Sequence, residues 1–131
     1  MSLTISPIYA ALLAILHIAL AYRVTVVRRA QKVGVGDNGS HDILVAVRAH
    51  GNLIENAPFA IALLLMAELN GLSGMWLHIL GAAFLIGRIG HAYGFAAGNG
   101  GVHFCRYWGT VFSWVVILAL ALVNLKQVVL G

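Results

Sequence analysis

The sequence predicts an all-α integral membrane protein, a bundle of four transmembrane helices forming a single domain. Two observations carry this. Of 131 residues, 61% are hydrophobic and only 9% charged, whereas soluble domains carry about 25% charged residues. The apolar residues also gather into four stretches, at about 3–27, 42–69, 75–97 and 103–128. Each can supply the roughly 20 residues that a spanning helix needs.

The first span is not read as a signal peptide, because no Lys or Arg precedes it and its charges follow it. Arg23, Arg28, Arg29 and Lys32 fall within ten residues and make up four of the eight cations. A cluster of this kind holds the adjoining loop in the cytoplasm, which predicts that both termini lie outside. Residues 32–40 (KVGVGDNGS) are polar and glycine-rich and predict a mobile loop.

The second span carries Arg48, Asn52 and Glu55 at i, i+4 and i+7. On a helix these lie within roughly 60° of one another. An ionisable side chain at mid-helix in hydrocarbon costs roughly 2.5–3.5 kcal/mol, so it needs a partner or a task. Arg48 and Glu55 are two turns apart, which predicts that they do not satisfy each other directly and that Glu55 pairs with Arg88 on the next helix. Pro58, just beyond, is expected to kink the helix or free a carbonyl.

A glycine-marked turn at 70–74 leads to the third span, where Arg88 and His91 share a face at i and i+3. Gly90, Gly94 and Gly98 repeat every four residues, a spacing that lets membrane helices approach closely. No strand precedes them, which disfavours a phosphate loop. A second turn, Gly98-Asn99-Gly100-Gly101, leads to the fourth span and its stripe of Arg106, Thr110 and Ser113. Arg106 can either anchor the interface by snorkelling or serve a site. Trp76 on one side and Tyr107 and Trp108 on the other fit aromatic belts. The single cysteine, Cys105, excludes an intrachain disulfide and a CxxC pair, and reads as a small apolar filler.

With the first loop in the cytoplasm, the polar groups of spans two, three and four converge at one depth, in the cytoplasmic half. The outer halves are expected to be nearly featureless. No basic stripe interleaved with aromatics suggests nucleic acid. The histidines (His17, His41, His50, His78, His91 and His103) are scattered over different segments with no HxxxH pair, so no metal site is expected.

R-x-x-x-N-x-x-E followed by proline (Arg48, Asn52, Glu55, Pro58), G-R-x-x-H (Gly87, Arg88, His91) and Arg106 opening the last span resemble the MAPEG family, the membrane-associated proteins of eicosanoid and glutathione metabolism. The run RAHGNLIENAPF is similar to bacterial members, and the four-span layout covers nearly the whole chain. The resemblance implies an integral protein of the bacterial inner membrane, a homotrimer with glutathione bound between subunits in the cytoplasmic half. It implies activation of the thiolate for conjugation to a lipophilic electrophile arriving from the membrane lipids, or for reduction of a lipid hydroperoxide. By carry-over, Glu55 takes the glutamyl ammonium, Asn52 the peptide and Arg48 a carboxylate. Arg88 contributes charge, His91 a hydrogen bond, and Thr110 lines the same pocket. Arg106 is the catalytic candidate that faces the sulfur.

Three departures bear on activity. Phe95 and Thr110 stand where eicosanoid-type relatives often place tyrosines, and Gly51 where some carry another arginine. Phe95 cannot donate a hydrogen bond, which argues against a dedicated leukotriene or prostaglandin synthase. The alternatives are a glutathione-binding protein of this fold without catalysis, and a small four-helix transporter built around Glu55.

Overall fold

The computed structural model describes residues 2–131, and four helices account for most of them: α1 Ser6–Gln31, α2 His41–Leu69, α3 Gly74–Ala97 and α4 Phe104–Leu130. The shortest has 24 residues, or about 36 Å at 1.5 Å per residue, enough to cross a hydrocarbon core of about 30 Å. All four are long and apolar enough to span a membrane. Their outward faces carry Ile15, Ile18, Phe59, Ile86, Trp114 and Leu118, all largely exposed. Such a surface belongs in lipid rather than water.

Local chemistry sets the helix ends. Pro7 stands in the first turn of α1, where its missing N–H costs nothing. The helix runs past Val27 through Arg28 and Arg29 and stops at Lys32, which is left-handed and returns its N–H to the carbonyls of those two arginines. Most of the basic cluster is therefore helical, and the connection is only residues 32–40. That connection is held in part by Arg28, whose Nη1 donates to the Gly36 carbonyl. Ser40 caps α2 by accepting from the Ile43 amide at 3.3 Å. α2 then continues unbroken through Pro58. The His103 ring accepts from the Cys105 amide at 3.1 Å and opens α4.

Each helix packs against α3, and α2 touches all three others, while α1 and α4 do not meet among the described residues. The core is a continuous apolar cluster that includes Leu13, Leu53, Leu64, Leu77, Phe84 and Leu120. The α3–α4 contact is glycine-mediated. A Cβ on Gly94 would collide with the backbone of Arg106, and one on Gly109 with the Gly87 carbonyl and the His91 backbone. The expected close approach of the glycine repeat is thus met, and Gly109 on the facing helix completes it.

The two longer connections lie at one end of the bundle, joined by His41 Nε2 to the Asn99 carbonyl at 2.7 Å. The opposite end is not featureless, contrary to expectation. Glu68, near the end of α2, accepts from the amides of Thr4, Ile5 and Ser6 at 2.7–2.9 Å and from the Ser6 hydroxyl, and so caps α1. Tyr9 reaches His78 Nδ1 at 2.8 Å, and Gln127 Nε2 donates to the α2 carbonyl of Ala67 at 3.2 Å. Each polar residue is isolated in an apolar run, so its partner appears only when the helices pack.

Candidate functional site

Polar groups of α2, α3 and α4 meet at one depth, toward the end of the bundle that carries the longer connections. Arg88, only 2% exposed, links them. Its Nη2 donates to Asn52 Oδ1 at 2.5 Å and its Nη1 to Ser113 Oγ at 3.1 Å. Ser113 passes its own proton to the Gly109 carbonyl at 2.7 Å and so offers Arg88 a lone pair. No carboxylate takes part. The guanidinium is held by neutral acceptors, and its Nε has no partner among the described residues.

The expected pairing of Glu55 with Arg88 is therefore not the one that forms. Glu55 accepts from Arg48 on its own helix, with Nη1–Oε1 at 3.2 Å and Nη2–Oε2 at 3.4 Å. Gly51 explains how a pair two turns apart can close. A Cβ there would stand 3.1 Å from Arg48 Nη1, so the absent side chain leaves a trough along which the guanidinium lies. The two parallel contacts form the fork arrangement typical of arginine and carboxylate. Both side chains remain about half exposed, at 48% and 56%.

His91 is buried on α3, with Nδ1 unpartnered among the described residues and its ring 5.6 Å from that of Phe95. Arg106 is engaged rather than free. Its Nη1 donates to the carbonyls of Gly100 and Gly101 at 2.6 and 3.1 Å, and its guanidinium lies 4.2 Å over the Phe95 ring. The aromatic at position 95 thus acts as a cation–π platform. Thr110 only back-bonds to the Arg106 carbonyl at 3.0 Å. Ser113, from the same stripe, is the α4 group that reaches Arg88, and its burial is what separates the two.

The structure also joins two histidines from different segments. His50 Nε2 lies 2.9 Å from His17 Nδ1, with ring centroids 4.9 Å apart. That distance fits one proton held between two ring nitrogens, linking α1 to α2 beside the polar layer. No cluster of three metal-ligating side chains occurs among the described residues.

Three guanidiniums (Arg48, Arg88 and Arg106) and one carboxylate (Glu55) occupy this layer, which leaves two positive charges in excess. The MAPEG family model matches residues 6–126. This chain belongs to the MAPEG family. It is 36% identical over 124 residues to inner membrane protein YecN of Escherichia coli (strain K12), a match covering 92% of this chain and 90% of that protein. The protein of the same name from Escherichia coli O6:H1 matches to the same extent. As a MAPEG protein the chain is a four-helix integral membrane protein, in keeping with its four spans and with the membrane location of these relatives.

Proposed function

We propose that this MAPEG protein is a glutathione-dependent membrane enzyme, working between copies of itself in a homotrimer. The observation that carries the reading is the half-exposed Arg48–Glu55 pair beside a buried Arg88 that no acid neutralises. A charged pair on the outside of a membrane span is costly unless it faces protein or a water-filled cleft. A second protomer supplies both, and the trimer implied by the family resemblance fits that need.

Glutathione has the matching charge pattern, with two carboxylates and one ammonium. Glu55 takes the ammonium and Arg48 a carboxylate, each exchanging its partner within the fork for the ligand. Asn52, oriented by Arg88, meets the peptide. Arg88 and Arg106 supply the excess positive potential that favours thiolate over thiol. Lowering a thiol pKa from about 8.5 by about two units requires roughly 2.7 kcal/mol of differential stabilisation. A desolvated guanidinium is able to provide that. The electrophile reaches the sulfur from the lipid side, and the site opens toward the cytoplasm.

Thiolate absorbance of purified protein titrated with glutathione tests this. A rise that is lost in Glu55→Gln and reduced in Arg106→Ala is expected, together with conjugation of an aryl halide. Absence of any rise in the wild-type protein sinks thiolate activation. One observation favours the second reading, a binding protein without catalysis: Arg106 is already engaged by two carbonyls and Phe95. Tight glutathione binding without thiolate or conjugation selects it. A transporter is less well supported, because buried Leu13 separates Tyr9 from His17 along α1 and Leu53, Leu64 and Phe84 join it in the core. The polar groups at the two ends therefore trace no continuous path.

A further inference from the structure

At the end of the bundle remote from the arginine layer, a cavity of about 560 Å³ opens between the α2–α3 turn, the start of α3 and the last turns of α4. Its volume falls within the range of small-molecule pockets, about 300–1,000 Å³. Leu72, Leu80, Ala119 and Val123 make an apolar wall suited to hydrocarbon. The remaining lining is of a different kind. Lys126 contributes an exposed ammonium, and the only ion pair among the described residues is Arg48–Glu55, so this charge has no acidic partner. Ser73 is the N-cap of α3, which has neither a side-chain cap nor an acid in its first turn. Helix N-termini carry partial positive charge and unsatisfied N–H groups. The nearest acid in sequence, Glu68, is fully occupied in capping α1. Trp76, half exposed on the same rim, is the residue type found at the membrane–water boundary.

Oily wall, unpaired Lys126 ammonium, uncapped α3 amides and boundary indole together describe an amphiphile with an anionic head. We infer that this cavity binds one anionic glycerophospholipid of the surrounding bilayer. An acyl chain lies along Leu80, Ala119 and Val123, and the phosphate lies between Lys126 and the start of α3. Charge complementarity chooses the occupant. A zwitterionic lipid brings a choline cation toward Lys126 along with its phosphate, which offsets part of the attraction, whereas a phosphatidylglycerol head brings the phosphate charge alone.

The test uses the purified full-length protein in neutral detergent, titrated with dioleoyl phosphatidylglycerol or dioleoyl phosphatidylcholine. Bound lipid is counted by native mass spectrometry, and the thermal midpoint is followed in parallel. Phosphatidylglycerol is expected to bind once per protomer, at least about fivefold more tightly than phosphatidylcholine, the factor one surface cation supplies near a charged head group. Lys126→Glu should erase the preference, Lys126→Arg should keep it, and Ala119→Phe, which fills the cavity, should remove both adducts. Equal binding of the two lipids overturns the inference. So does a preference that survives Lys126→Glu, or binding of oleate in place of phospholipid. Should Ala119→Phe fail to fold, the two Lys126 variants decide the matter alone.

Discussion

Arg88 on α3 donates to Asn52 on α2 across 2.5 Å in the interior of the bundle, with no carboxylate taking part. A residue of the second-span motif is thereby fixed in place by a buried cation. Asn52→Ala removes the acceptor and leaves the guanidinium underserved. Hydrogen bonds to charged groups contribute about 1.5–3 kcal/mol, and the cost falls in that range. Asn52→Asp restores an acceptor and adds a counter-charge, so it should retain most of the stability. Thermal midpoints of the two variants in detergent check the order.

Gly51→Ala separates two effects. Alanine gains about 0.5–1 kcal/mol over glycine inside a helix, and the contact at 3.1 Å is with the end of a flexible, half-exposed arginine that can shift aside. The variant should therefore be more stable than wild type while the Arg48–Glu55 fork loosens. A lower midpoint would mean that the fork matters more to the fold than exposed ion pairs usually do.

Gly109→Ala carries the opposite sign. The added methyl meets the Gly87 carbonyl and the His91 backbone, neither of which can rotate away. α3 and α4 must separate, which costs about 1–3 kcal/mol and shifts both His91 and Arg88. Lower thermal stability is expected and, on the proposed function, weaker glutathione binding with it. Gly34→Ala, in the first connection where an added methyl meets nothing within 4 Å, serves as the comparison.

For His17 and His50, a double-mutant cycle with leucine measures the contact that the fold creates. Either single variant leaves one ring nitrogen unpaired, and the double variant leaves none. A coupling energy of about 0.5–1.5 kcal/mol is expected. Additive single effects would show that the 2.9 Å contact contributes nothing to stability.

The four spans and the depth of the polar layer were legible in the sequence because both depend on local composition, namely runs of apolar residues and the placement of a few charges. Helix ends moved only slightly, chiefly where α1 absorbed Arg28 and Arg29. Pairing was not legible. Whether Arg48 can reach Glu55 depends on an empty position at residue 51, and the partners of Arg88 are neutral groups that hydropathy does not distinguish from their neighbours. Thr110 and Ser113 share a stripe, and only the crossing of α3 over α4 selects Ser113. The far end went unread for the same reason: Glu68 resembles an ordinary helix-end acid until the amides of residues 4–6 arrive beside it.

That last contact gives the α1–α2 hairpin two fastenings, the connection of residues 32–40 at one end and a carboxylate clasp at the other. The first helix can enter the bilayer early, yet its leading turn has no lasting partner until residue 68 has been synthesised and threaded to the same side. What the ribosome makes first is thus locked only after the second helix has followed it.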